Sequence, residues 1–566
     1  MRARRAESGS TLQQGTSWGR MGAWDGWFWI AAIATMALQS FAYRNAMNAD
    51  GVSYLDMADF IAHGKWARVV NGQWSPLYPA IQGVAMAIVR PSPSQEFPLA
   101  HAVNFLIFVA ALFGFGYFWQ QVAEQASRFA GDSRGQASWS FPLLGYTLFL
   151  WLALQLISPH LVTPDLALAG LLCVSCGLVL SIQHQPSRAK FALLGGTLGL
   201  GYLCKAVLFP VGVVYLGVVF AVAIRQRQKL VGPLLSVLLF ALVSAPWVLA
   251  VSQRYGYLTF GETGRFNYWV YVDADRKPTG GDLVSDPGMP HPPRRLFRSP
   301  DVWGFDSAPG TIPLWYEPPY WYQGAPLRLD LRRQLRVLLH NLDALPHLGR
   351  HQGLLAGCLL ILVLLTPRKR SLWEAWLRQW PLWGAGTAGL TLYVLVHMED
   401  RLVGPFLVLL WASGLAATWA SPSMTTRRVF PVVTLSLCIL VGASALQDTF
   451  DSVWTMHNAP PSHFQVAQEF RRYGLRDGDG IAAIGRSNRF YWARLARVHV
   501  VAEIEQQDTG EFWSADPEVR EKVLEVLAHS GAKMVVSGGP PPVRLSGWER
   551  VGTTSFFVHA LPTSLR

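Results

Sequence analysis

The stretch "MNADGVSYLDMADF", Met47–Phe60, sets three carboxylates, Asp50, Asp56 and Asp59, directly after an apolar run at 27–43. A run of that length reads as a membrane-crossing helix, so the acids stand where the chain would first reach water. Charges beside apolar spans are costly to place and often mark a functional site. The reading of the whole chain grows from that junction.

Composition agrees with a membrane setting. Of 566 residues, 51% are hydrophobic and only 15% charged, with a mean hydropathy of +0.23. That is too apolar for an ordinary soluble enzyme of this length, and it predicts an all-α polytopic membrane domain. The net charge of +12 would suit nucleic acid if it formed a patch, but it sits in short loops between spans, which excludes a nucleic-acid partner. All five cysteines fall in or beside apolar spans, so a disulfide framework or cysteine zinc site outside the membrane is not expected. The "CVSC" pair, Cys173 and Cys176, reads as small-residue helix packing.

Spans are predicted at 27–43, 99–120, 140–157, 164–183, 191–204, 206–223, 230–252, 353–366, 378–397, 401–420 and 429–446, about eleven in all. The segment 77–90 is too short to cross and reads as a re-entrant or interfacial helix. With residues 1–26 in the cytoplasm, each loop assigned to the inner face carries basic residues ("SRFAGDSR", "HQPSRAK", "RQRQK", "TPRKR", "TTRR"), as the positive-inside rule requires. A full crossing at 77–90 would break that alternation. No small-residue cleavage site follows the first span, so it is read as retained. The expected plan is a transmembrane domain over 27–446 with outer loops 44–98 and 254–352, then an extracytoplasmic α/β domain over 447–566. In that tail "IAAIG", "RVHVVAEI", "KMVVSG" and "TSFFVHAL" read as strands and "PEVREKVLEVLAHSG" as a helix.

The topology brings distant ionisable residues to one outer layer: Asp50, Asp165 of "LVTPD", Lys205 of "GYLCKAVLFP", and His397, Glu399, Asp400 and Arg401 of "HMEDR". The ordered set "ADGVSYLDMADF…NGQWSPLYPAIQG", "SPHLVTPDLALAGLL", "LGLGYLCKAVLFPVG" and "HMEDRLVGPF" resembles the GT-C membrane glycosyltransferases over roughly 25–420. Within these it looks most like bacterial relatives of the protein O-mannosyltransferases and of the lipid A aminoarabinose transferase. The resemblance implies a multi-pass enzyme of the cytoplasmic (inner) membrane that takes a sugar from a polyprenyl-phosphate donor to an extracytoplasmic acceptor. It implies Asp50 as the catalytic base and Asp165 as a second acidic site. Better-known members carry an adjacent acidic pair where this chain has Asp50 followed by Gly51, which makes Asp56 the substitute base. An inverting transfer needs one base for the acceptor hydroxyl, and Lys205 and Arg401 can meet the charge of a leaving phosphate.

Each residue also has a plain structural reading. Asp50 would serve as a helix N-cap, Asp56 and Asp59 as a solvated helix face, Asp165 as a complement to a helix dipole and Lys205 as a snorkelling cation. Tyr54, Trp74 and Tyr78 are candidates for substrate contact or for anchoring the short helix. His397, Glu399 and Arg401 are candidates for substrate binding or for an ion pair closing a turn. Relatives in the resembled family often use a divalent cation, for which Asp50, Asp165 and His160 are the candidate ligands. His347 and His351 share a helix face but lack a third ligand. "WYEPPYWYQ", 315–323, offers aromatic faces for a sugar or lipid head group. A transporter or lipid flippase is the alternative of a different class, with a non-catalytic membrane scaffold as the third.

Overall fold

The computed structural model describes residues 23–129, 139–273, 294–305, 309–318, 327–367, 369–420, 424–458, 462–542 and 545–562. The basic N-terminal segment as far as residue 22, residues 130–138 of the 121–139 loop and the "PYWYQ" part of the aromatic stretch lie outside the described residues.

Every predicted span is helical. The first ten helices are α1 (Ala23–Ala42), α2 (Ala49–Ala62), α3 (Leu77–Val89), α4 (Glu96–Phe129), α5 (Ser140–Leu150), α6 (Asp165–His184), α7 (Arg188–Cys204), α8 (Leu208–Arg225), α9 (Val231–Tyr255) and α10 (Thr263–Tyr271). Gln352–Leu364, Trp380–Val394, Asp400–Ala420 and Met424–His457 complete the bundle. Among the described residues six helices are long and apolar enough to cross a membrane, or seven if a pair bent by 78° near Gln352 forms one span. The others are shorter, α3 included, as its 13 residues required. The chain is a multi-pass membrane protein.

Packing follows the usual logic of helices in lipid, where small residues let backbones approach. α7 lies against α9 because Gly195 has no side chain: a Cβ there would fall 2.2 Å from the Ser236 carbonyl oxygen. The Ser236 hydroxyl then donates to the Phe191 carbonyl at 2.7 Å, pinning the same crossing. α4, α6 and the Asp400–Ala420 helix enclose a core that includes Phe108, Phe115, Leu172 and Phe406.

The four strands expected in the tail form as β3 (Gly480–Ile484), β4 (His499–Ile504), β5 (Ala532–Ser537) and β7 (Phe557–Ala560), and a short strand not foreseen, β6 (Trp548–Arg550), pairs with β7. The Pro517–His529 helix is also present. The sheet is larger than that domain, however. β1 (Arg294–Phe297) and β2 (Val302–Gly304), from the long 254–352 loop, extend it to the order β1-β2-β4-β3-β5-β7-β6. β4, β3 and β5 run parallel, and the remaining pairs are antiparallel. The expected boundary at 447 is thus crossed twice. The Met424–His457 helix runs through it, and the loop donates an edge to the sheet. One apolar cluster continues from Leu55 and Tyr78 through Trp303 and Tyr316 to Trp492 and Val536, joining the domain to α2 and α3.

Candidate active site

The helix cap before α2 falls to Asn48, not Asp50. The Asn48 side-chain oxygen instead accepts from the Val162 backbone N–H at 2.9 Å, tying α2 to the turn before α6. Asp50 is left free to face outward from the first turn of α2. Its Oδ2 accepts from Arg401 Nη1 at 2.8 Å, and its Oδ1 accepts from the Trp315 indole N–H at 3.1 Å.

Arg401, at the start of the Asp400–Ala420 helix, is the hub. The same Nη1 reaches Asp165 Oδ2 at 3.4 Å, and Nε donates to Glu399 Oε2 at 2.8 Å. Lys205, just past the end of α7, donates to the other oxygen of Asp165. His397 Nε2 lies 3.2 Å from Glu399 Oε1, and its ring stacks on Tyr271 with centroids 3.9 Å apart. The contact with His397, with Arg401 beside it, holds the Glu399 carboxyl down at about 2. Burial, with the charge of Arg401, lowers His160. Residues from six places in the chain therefore meet at one end of the bundle, among them Asp50, Asp165, Lys205 and the 397–401 turn, which were expected to share one layer.

A cleft of about 590 Å3 opens over this cluster, lined among others by Asn48, Asp50, Ser158, His160, Glu399 and Arg401. Asp165 is not on its wall. Its side chain is wholly buried between Lys205 and Arg401, so it acts by holding those cations and does not itself meet a solute. Tyr54, Trp74 and Tyr78 also stay beneath the surface. Tyr54 packs edge-on against both other rings, Trp74 donates its indole N–H to the Tyr316 carbonyl at 2.7 Å, and Tyr78 donates to Asn104 at 2.7 Å. These three fix α2 against α3 and contribute no cleft wall.

Asp56 departs most from expectation. It is buried, 3% exposed, and takes the Thr311 backbone N–H and hydroxyl at 2.7 Å each. It also accepts from Arg494 of the C-terminal domain at 3.1 Å. Burial raises its pKa, with Arg494 and Thr311 working against that rise. Asp56 thus belongs to a domain junction and not to a solvated helix face, and it lines no part of the cleft. Asp59 is the more exposed member of the same network, 3.4 Å from Arg494.

The carboxylates do not frame a cation cage. The Arg401 guanidinium stands between Asp50 and Asp165, and among the described residues no group of three or more His, Cys, Asp or Glu could hold a metal ion. His160 Nδ1 is engaged with the Ser158 hydroxyl at 2.7 Å. His351 Nε2 likewise meets Ser444 at 2.7 Å.

Trp315 and Arg494 make contacts in this region that no single residue of the sequence motifs announces. Trp315 lay inside the aromatic stretch, whose composition pointed to it. Arg494 gave no sign, since nothing local shows that a surface-looking helix will be covered.

No protein-family model matches the chain, and no curated protein matches it. Among solved structures, it is similar to ArnT from Cupriavidus metallidurans bound to undecaprenyl phosphate. That match has 13% identity and a TM-score of 0.50, over 95% of this chain and 99% of that one. The apo state of the same protein is 16% identical with a TM-score of 0.41, over 96% and 99%. AglB from Archaeoglobus fulgidus, in complex with an inhibitory peptide and a dolichol-phosphate, is 10% identical with a TM-score of 0.43, over 91% and 70%. The chain shares the overall fold of that ArnT structure, in keeping with the resemblance drawn from its ordered motifs.

Proposed function

We propose that the chain is an inverting membrane glycosyltransferase that moves a sugar from a polyprenyl-phosphate donor to an extracytoplasmic acceptor, with Asp50 as general base. The observation that carries this reading is the placement of Asp50 on a cleft wall, paired with a hub arginine that two buried or half-buried acids hold in place. The bound undecaprenyl phosphate of the structural neighbour supports the donor class. The basic inner loops support an inner-membrane setting with the cleft and the C-terminal domain outside.

The chemistry divides among the residues as their positions dictate. The acceptor hydroxyl loses its proton to the Asp50 carboxylate as its oxygen attacks the anomeric carbon. The carbon–oxygen bond to phosphate breaks, and the electron pair leaves with the lipid phosphate. Arg401 meets that charge: its Nη1 and Nε are engaged by carboxylates, and Nη2 makes no hydrogen bond among the described residues. A planar guanidinium suits a phosphate oxygen pair. Lys205 keeps Asp165 neutralised, so that Arg401 is positioned without leaving a bare charge behind it.

Neither alternative gains support from the geometry. A transporter would place ionisable groups along a path through the bilayer, whereas Asp165 is sealed and Asp50 opens at one end. A scaffold would bury Asp50 in packed protein. The test is transfer from a panel of labelled polyprenyl-phosphate sugars in liposomes. Asp50→Asn is expected to lower transfer by about 10²-fold or more, and unchanged transfer would overturn the assigned base.

A further inference from the structure

A second cavity, about 640 Å3, lies in the C-terminal domain and shares no lining residue with the cleft at Asp50. It sits beyond the carboxyl ends of β3 and β5, reached by Ile484, Gly485 and Ser537–Gly539. β3 is the first of the parallel strands in sequence, and its parallel neighbours β4 and β5 stand on opposite sides of it. The chain therefore passes from β3 to β4 on one side and crosses back to β5 on the other, which makes the β3–β5 edge a switch point of the kind at which open α/β sheets bind ligands. Its size is that of a small-molecule site.

The lining has a one-sided chemistry. Arg486 and Arg489 are both exposed, no acid is present, and neither guanidinium has an ion-pair partner among the described residues. Three aromatic rings, Phe490, Trp513 and Phe556, form apolar wall, and Gln506, Thr509 and Ser537 add polar groups. Free arginines at a mouth attract an anion, while aromatic faces with nearby hydrogen-bonding groups suit a sugar ring. We infer that this crevice is a second binding site, for an anionic saccharide. Its charged substituent is held by Arg486 and Arg489 and its ring by the aromatic wall. The same segment runs on to Arg494, which is ion-paired with Asp56 of α2, so the site is mechanically joined to the helix that carries Asp50. The inference stands on the domain itself and does not depend on the chemistry assigned to Asp50.

The test uses the full chain in detergent micelles, titrated calorimetrically with trigalacturonate, maltotriose, uridine diphosphate and inorganic phosphate. Saturable binding of trigalacturonate, weakened by salt and at least tenfold tighter than the other three, is expected. Arg486→Gln with Arg489→Gln should weaken it by about tenfold or more, and Asp50→Asn should leave it unchanged. Gly539→Asp, where a Cβ meets nothing within 4 Å, adds an acid at the rim and should weaken it as well. Four results would overturn the inference: no saturable binding, equal binding by the arginine variant, equal or tighter binding of phosphate, maltotriose or the nucleotide, or loss of binding in Asp50→Asn alone.

Discussion

Replacing Arg494 by methionine tests whether the C-terminal domain is latched to the helix that carries Asp50. Arg494 is 7% exposed at its side chain and lies 3.1 Å from Asp56, 3.0 Å from Glu96 and 3.4 Å from Asp59. At about 3 Å and an effective dielectric of about 20, each such pair attracts by about 5 kcal/mol. Desolvation of several kcal/mol per ion stands against this, and the difference is what a variant reads. Arg497 still reaches Glu96 and Asp59, so the group that Arg494→Met orphans is Asp56, left with Thr311 alone. Removing one partner of a buried pair costs about 3–5 kcal/mol, and the surviving Thr311 bonds place this case near the lower end. The assay is amide hydrogen exchange of α2 and of the Trp492–Leu495 turn in detergent. Opening made about 3 kcal/mol easier speeds exchange about 100-fold. Adding Asp56→Asn removes the orphaned charge and should recover much of the loss. Acceleration below tenfold in the single variant, or a double variant that exchanges as fast as the single, would refute the latch.

Lys205→Met strands the wholly buried Asp165 with one shared arginine, and a loss of about 3 kcal/mol or more is expected from melting in detergent, largely restored by adding Asp165→Asn. Transfer should persist in the presence of a metal chelator, because Arg401 stands where a cation would sit between Asp50 and Asp165; abolition by chelation and rescue by magnesium would contradict that. In the sheet, burial raises the Glu503 carboxyl to about 7, with Ser487 opposing the rise. Its native form therefore keeps a proton that the unfolded chain has already lost. Its contribution is full below about pH 4.5 and fades as pH rises through about 7, by about 3 kcal/mol in all. Glu503→Gln should flatten that pH dependence in melts of the full chain and leave it more stable than the parent at pH 8.

The helical bundle was readable because the bilayer demands long apolar runs and leaves polar residues few places to go. The same pressure made the site readable: Asp50, Asp165, Lys205 and Arg401 stood out because each adjoins a span, and the structure joins all four through Arg401 and Asp165. The strands β3, β4 and β5 were visible as apolar β-branched runs. β1 and β2 were not, since "RRLF" and "VWG" are too short to show a period. Their partner β4 follows some two hundred residues later, and only the folded chain shows that Trp303 meets Glu503. Asp56 shows the limit most clearly. Within α2 it looks like any acid on a polar face, and its neighbours in sequence give no reason to bury it. What buries it is a domain that begins hundreds of residues on and brings its own arginine.

That burial bears on how the cleft could be assembled. α2 is held at its start by Asn48 and Val162, at its first turn by Arg401, and at its middle by Arg494 and Thr311. Those anchors come from the bundle, the long 254–352 loop and the terminal domain, so the position of Asp50 depends on all three. Trp315, on the loop, touches Asp50 itself, while Thr311, four residues before it, grips Asp56. The loop, the arginine hub and the domain therefore bear on one short helix, and a ligand that moves any of them changes the setting of the carboxylate. A crevice for a saccharide in the terminal domain, on the segment that ends in Arg494, lies on that line of contact.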